Sequence, residues 1–323
     1  VRPGNYIIEV RFLGYKNARF GRIEAHEAVT NGGREILLRA KEVAESMGFE
    51  VLHMYVDALW LKKPGCVNKA DFQEVLDEIS AQTGLGVSLD GVYRWVAFLP
   101  SRMDERVPVA NRYFGVFQDG SMKIRGIEAR RRDTPPWVAK TQTKMLTCLS
   151  RAGTVNDLPA CLQSAFKVFQ EALADLRSGH VPLEELVITS RISHELEAYC
   201  SPTPGARAAM QVLEKTGKRA KPGQKVRFVF MRGDPDVRAW ESTERIELDE
   251  IDSVKYIELL ARAASSVLHP FGISDADLKR WAHTSTLELR LDLGIEVTDV
   301  RKIHHHDAVG RNARAALAGG ITG

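Results

Sequence analysis

The chain has 323 residues, 44% hydrophobic and 27% charged, and its 45 basic and 42 acidic side chains leave a net charge of only +3. That length allows about two domains, the composition is that of an ordinary soluble protein with a sizeable core, and no run of about 18 apolar residues is present to span a membrane. The total charge does not mark a nucleic-acid binder, so the distribution of charge along the chain has to carry that question.

Cys66, Cys148, Cys161 and Cys200 are widely spaced and form no CxxC pair, which argues against a zinc ribbon or iron–sulfur site. They suit free thiols in a reducing cytoplasm, so the expected location is cytoplasmic. The opening stretch VRPGNYIIEVRF has neither a signal-peptide layout nor an initiating Met, and the expectation is a processed chain or part of a longer one.

In chain order, residues 23–47 read as a helix, with Leu37, Leu38, Val43 and Ala44 near the helical period and Gly48 just beyond its end. FEVLHMYVDALWLKK is rich in β-branched and aromatic residues and reads as strand, tight turn and returning strand, the turn falling near Asp57 and Ala58. Residues 69–82 read as a helix. GVYRWVAFLPS, NRYFGVF and MKIRGIEA are strand-like, with Asp119-Gly120 as the hairpin turn between the last two. The pattern then changes. A helix with prolines at its entrance starts near residue 134, a second runs through LPACLQSAFKVFQEALADLRSG to Gly179, LVIT is a short strand, and PGARAAMQVLEKTG is another helix. KPGQKVRFVFMRG reads as a turn and strand, and DSVKYIELLARAASSVLHPFG as a helix of about 15 residues. The expected fold class is α+β: an antiparallel-sheet part followed by a mainly helical one, with the boundary near residues 135–150.

Four features could carry chemistry. Asp57 at a hairpin tip is rigid and exposed, as an oxygen ligand for Mg²⁺ would be; Asp is equally a common turn former. Between residues 111 and 145 there are eight basic and three acidic side chains. Within that stretch Lys123, Arg125, Arg130, Arg131 and Arg132 crowd together, either as a phosphate-attracting surface or as a solvated charged face. Lys215, Lys218, Arg219, Lys221, Lys225 and Arg227 surround a Pro-Gly turn, as a backbone-contacting loop or as a mobile basic one. His304–His306 lie in a tail rich in small residues, expected to be poorly ordered rather than metal-binding. GxxxxGK[ST], HExxH and GxSxG are absent.

Taken in order, the pieces resemble the family B DNA polymerases over about residues 10–275. YVDALW is similar to the family motif C, Y-G-D-T-D-S, with Tyr55 and Asp57 matching. NRYFGVFQDGSMKIRGIEARRRDTP resembles the family's K-K-R-Y segment and the R-G-x-E-x-x-R-R-D segment after it, through Arg112, Tyr113, Arg125, Gly126, Glu128, Arg131, Arg132 and Asp133. KPGQKVRFVFMRG resembles the thumb strand P-G-x-x-V-x-Y-V-x-x-G, and KYIELLARAASSVLHPFG the thumb helix. The resemblance is nearest to the divergent archaeal-type group with an altered motif C. It implies a palm subdomain over residues 1–140, a thumb over 141–283, and an extension over 284–323.

The resemblance implies template-directed dNTP addition by a two-metal mechanism. Primer–template DNA would be the partner, dNTP the substrate of the complete enzyme, and Mg²⁺ the cofactor. Arg112 and Tyr113 would lie beside the primer end. Lys123, Arg125, Arg130, Arg131 and Arg132 would meet phosphates, and Lys221 and Arg227 would act from the thumb. The sequence also departs from the pattern. The second motif C aspartate falls at Leu59, which has no oxygen to offer, and Asn111 replaces the second lysine of K-K-R-Y. The motif A aspartate, the exonuclease domain, the fingers and their lysine would belong upstream, and a separate N-terminal polymerase part is an expected partner. The expectation is therefore a polymerase palm and thumb that grips a duplex but is inactive alone. The alternatives are a polymerase-like DNA-binding or scaffold protein in replication or repair, without the chemistry, and an unrelated RNA-binding α+β protein.

Overall fold

A computed structural model of the chain describes residues 22–102, 108–241, 246–283 and 317–319. The elements are α1 (Ile23–Ser46), β1 (Glu50–Tyr55), β2 (Ala58–Lys62), α2 (Gln73–Thr83), β3 (Tyr93–Pro100), β4 (Pro108–Phe117) and β5 (Met122–Arg125). They continue with α3 (Pro136–Leu149), α4 (Leu158–Arg177), α5 (Leu183–Leu186), β6 (Ile188–Arg191), α6 (Pro204–Thr216), β7 (Lys225–Phe230), β8 (Val237–Ala239), α7 (Ser253–Leu268), α8 (Asp275–His283) and β9 (Leu317–Gly319). Helices and antiparallel pairings make the chain α+β, as its periodicities imply. Among the described residues no helix is long and apolar enough to cross a membrane.

The chain divides into two compact units. Among the described residues, the first holds 22–95 and 117–121 with Ala318 and Gly319; the second holds 96–116 and 122–283 with Leu317. In the first unit, α1 and α2 pack with the β1–β2 hairpin around Ala40, Ala44, Phe49, Phe72, Val75 and Ile79. Val51, Leu59 and Leu61 turn from the hairpin onto that cluster. The two-residue turn is Val56-Asp57, because Tyr55 pairs with Ala58. It therefore lies one residue earlier than the sequence suggests.

The strand order β5-β4-β3-β9 forms one sheet, and in the second unit β6-β7-β8 forms another. The prolines at the entrance of α3 are where the sequence puts them. Leu146, Leu149, Leu162, Phe166 and Phe169 bury the α3–α4 contact, and α7 adds Tyr256, Leu260 and a run of buried alanines that lets helices approach closely. The Tyr256 hydroxyl donates to the Leu186 carbonyl (2.8 Å) and accepts from the Phe230 amide (3.2 Å), tying α5, β7 and α7 together. The strand expected through residue 129 stops at Arg125, because Gly126 turns the chain at φ 65° into a 3₁₀ turn, Glu128–Arg130. The sequence gives no separate signal for β8 or α8, which are short. Of the tail, Leu317–Gly319 is a strand; His304–His306 lie outside the described residues.

Candidate nucleic-acid interface

In the first unit, Asp57 sits at the exposed hairpin tip. Its amide donates to the Tyr55 carbonyl (2.7 Å) around Val56, whose φ is 52°. A β-branched residue seldom adopts that backbone, and Val56 stands where Y-G-D-T-D-S has glycine. Leu59, at the position of the second carboxylate, packs into the apolar cluster beneath the hairpin. Among the described residues, no group of three or more His, Cys, Asp or Glu side chains is placed to hold a metal ion. Among the described residues, the two motif C positions hold one exposed carboxylate, Asp57, and a half-buried leucine, which supplies no oxygen to a metal ion.

The other candidates belong to the second unit. The register Tyr113↔Arg125, Phe114↔Ile124, Gly115↔Lys123 puts Tyr113, Lys123 and Arg125 on one face of the β4–β5 ladder. Tyr113 is buried against Phe98, ring centroids 5.8 Å apart. Arg112 is on the opposite face. Its guanidinium donates to the Pro100 carbonyl (2.5 Å) and to Ser266 Oγ on α7 (3.2 Å). Burial, with Arg102 and Arg262 nearby, pulls it down to about 10, so it stays charged near neutral pH. The structure thus puts Arg112 and Tyr113, which the motif match paired, on opposite faces of β4.

Gly126 makes the R-G-x-E turn possible. A Cβ there would lie 2.1 Å from the Asn111 carbonyl oxygen, in a backbone conformation that disfavours L side chains. The turn delivers Glu128, which is buried, into a polar node. Arg102 pairs with Glu128 and donates to Ser266 Oγ (2.6 Å). Gln142 Nε2 on α3 donates to Glu128 (2.8 Å) and to the Ala263 carbonyl (2.7 Å), while Gln142 Oε1 accepts from the Ala129 amide (2.6 Å). Sheet, α3 and α7 are joined through one carboxylate. Arg102 and Gln142 carried no sequence signal; Glu128 was visible only as a motif letter.

Beyond Glu128, Arg131 makes a two-pronged bond to Asp133 (3.0 and 2.6 Å). That bond holds the Asp133 carboxyl below, and the Arg131 guanidinium above, their ordinary ranges. Arg125, Arg130 and Arg132 are exposed and make no ion pair with a described carboxylate. In the β6–β8 part, Lys225 and Arg227 alternate outward from buried Val226 and Phe228. Arg227 bonds Glu241 (2.7 Å), Arg219 pairs with Glu195 and Glu197, and Lys221 lies exposed before the Pro-Gly turn.

Residues 110–270 match the family model described as DNA polymerase family B. The chain is 27% identical over 253 residues to DNA polymerase 1 of Sulfurisphaera ohwakuensis, covering 78% of this chain and 27% of that one. It is 27% identical over 278 residues to DNA polymerase 2 of Aeropyrum pernix, covering 85% of this chain and 32% of the relative. The chain thus spans about a third or less of these relatives' length. Among solved structures it is similar in fold to the family B DNA polymerase from Pyrobaculum calidifontis, with a TM-score of 0.52 and 24% identity over 80% of this chain and 32% of that one.

Proposed function

Across residues 110–270 this chain belongs to the family B DNA polymerases, and on that premise we propose that it is the part of such a polymerase that holds a primer–template duplex. In this reading residues 1–140 are palm, 141–283 thumb and 284–323 an extension. The matched β4–β5 hairpin and its following turn meet the sugar–phosphate backbone, Lys221 adds to them from the turn before the thumb strand, and Arg227, bonded to Glu241, adds a smaller share. The observation that carries the reading is the set of exposed guanidinium groups at Arg125, Arg130 and Arg132, which follow the matched hairpin with no described carboxylate to neutralise them. Arg131, already bonded to Asp133, is assigned a smaller share. Contacts of this kind are independent of base sequence.

Addition of dNTP with Mg²⁺ is the work of the complete enzyme, and this chain by itself is inactive in it. Leu59 in the apolar cluster supports that limit. The same packing favours, as a second reading, a polymerase-like protein that keeps the duplex grip without the chemistry. An intact motif A aspartate and fingers lysine in the coding sequence before residue 1 would decide for the first.

The test is fluorescence anisotropy of the chain on labelled primer–template DNA across a salt series. Log affinity should fall by about 0.9 per phosphate neutralised for each unit of log salt. Replacing Arg125, Arg130 and Arg132 by Ala should weaken binding alike on every sequence and flatten that slope by about 2.7. Binding insensitive to salt, or unchanged in the triple variant, refutes the assignment.

A further inference from the structure

A cleft of about 270 Å³ opens in the second unit where the end of β3 meets α7 and α8. Arg102, Arg112, Arg262 and Lys279 line it, with Asp275 and Ser266. Among the described residues its charge is not balanced. Arg102 is paired with Glu128, and Lys279 with Asp275 (2.7 Å). Arg112 and Arg262 make no ion pair with a described carboxylate. Two guanidinium groups, those of Arg102 and Arg112, donate to one hydroxyl oxygen, Ser266 Oγ, at 2.6 and 3.2 Å. Like charges gathered in a partly desolvated site repel unless an anion joins them.

Two buried atoms at this cleft have no hydrogen-bond partner among the described residues: Arg112 Nε, a donor, and Asp275 Oδ1, an acceptor. Buried polar atoms left in that state are uncommon and point to a missing partner. A group that both accepts and donates satisfies the pair. Sulfate and an internal phosphodiester offer acceptors alone; a hydrogen phosphate or a phosphomonoester offers acceptor oxygens and one O–H. The volume falls just under the roughly 300–1,000 Å³ of sites for drug-sized ligands, which leaves ample room for a phosphate group.

We propose that this cleft is a binding site for a protonated phosphate group, free or at the end of a nucleic-acid strand. Arg112 and Arg262 supply its charge, and Asp275 accepts its O–H. The site is independent of the duplex-holding reading, because its probe is inorganic phosphate and its residues are not those tested there.

Isothermal titration of the full chain with inorganic phosphate should give a dissociation constant of about 1 mM or tighter. The Arg262→Glu variant, at an exposed position on α7, should bind at least about tenfold more weakly while keeping the parent's thermal unfolding, which is a tenfold change in the same equilibrium. Sulfate should bind at least about tenfold more weakly than phosphate, by the loss of the bond to Asp275. Absence of phosphate binding, equal affinity in Arg262→Glu, or equal affinity for sulfate each overturns the proposal. Competition by a 5′-phosphorylated oligonucleotide but not its 5′-hydroxyl form identifies a strand end as the source and supports the site. Competition by neither identifies free phosphate and supports it equally.

Discussion

Glu128→Gln isolates what the central carboxylate does. The amide keeps the shape of Glu128, and its oxygen can still accept from Gln142 Nε2, so that bond of 2.8 Å survives. What is lost is the negative charge facing Arg102, whose guanidinium already loses hydration and lies near Arg262 and Arg131. At an effective dielectric of about 20, opposite charges about 4 Å apart attract by roughly 4 kcal/mol. Stranding one partner of a fully buried pair costs about 3–5 kcal/mol. The Arg102 side chain is 23% exposed and that of Glu128 8%, which places the loss near the lower end, about 3 kcal/mol. For a unit of this size each kcal/mol moves the midpoint by about 2–4 °C, so the melting temperature should drop by about 6–12 °C. Trp137, buried at the start of α3, reports the transition by fluorescence in both thermal and urea unfolding. The double variant Arg102→Met/Glu128→Gln should recover part of the loss, with a coupling energy of about 1 kcal/mol or more. A shift under about 2 °C, or a double variant as unstable as the two single losses added together, refutes the node.

Two further outcomes follow from the same packing. Burial pushes the Tyr256 phenol well above its usual range, so the unfolded chain releases that proton first. The stability this group adds is complete below an unfolded value of about 10 and is lost as pH rises toward the folded one. Tyr256→Phe should cost about 1–3 kcal/mol at neutral pH through its two lost hydrogen bonds and should flatten the decline above about pH 10 in a stability–pH series; an unchanged alkaline limb refutes it. Leu59→Asp should destabilise the first unit by about 3 kcal/mol, because it puts a carboxylate among Val51, Leu61 and the α1–α2 cluster. Amide exchange should show lowered protection over residues 23–92. A variant of parental stability that binds Mg²⁺ refutes that reading.

The fold class was legible because period and composition change where the architecture does. β-branched and aromatic runs become β1–β5, and the proline-led apolar stretches become α3 and α4. The site was legible only in part. The motif match grouped Arg112 with Tyr113, but successive side chains along a strand point to opposite faces. The pairing Tyr113↔Arg125 turns Arg112 to the other face. Counting charges likewise made Arg131 one cation among several, whereas Asp133 two positions on folds back onto it. Arg102 and Arg262 are 160 residues apart in sequence, reckoned from the Arg102 Nη2 bond to the Arg262 carbonyl, and no local pattern relates them. Gly126 had the opposite character: its place in a motif was visible, but the reason for it is the Asn111 carbonyl 2.1 Å from where a side chain would begin.

The two halves of the family motif set meet different physical constraints here. Gly126, Glu128 and Asp133 are each held by a neighbour that would be left strained or unpaired by a change: the Asn111 carbonyl, the Arg102 guanidinium and the Arg131 guanidinium. The hairpin tip has no such bond to a carboxylate. At position 59 a half-buried leucine supports the fold by packing on the cluster under β1 and β2, and at position 56 a valine holds φ 52° at the tip, where it is 66% accessible. Restoring the second carboxylate alone would therefore set stability against chemistry. Residue 59 would have to leave the core face before it could serve a metal ion. The turn after β5 is locked by its own packing, while the second of the two hairpin positions is held half-buried against the apolar cluster.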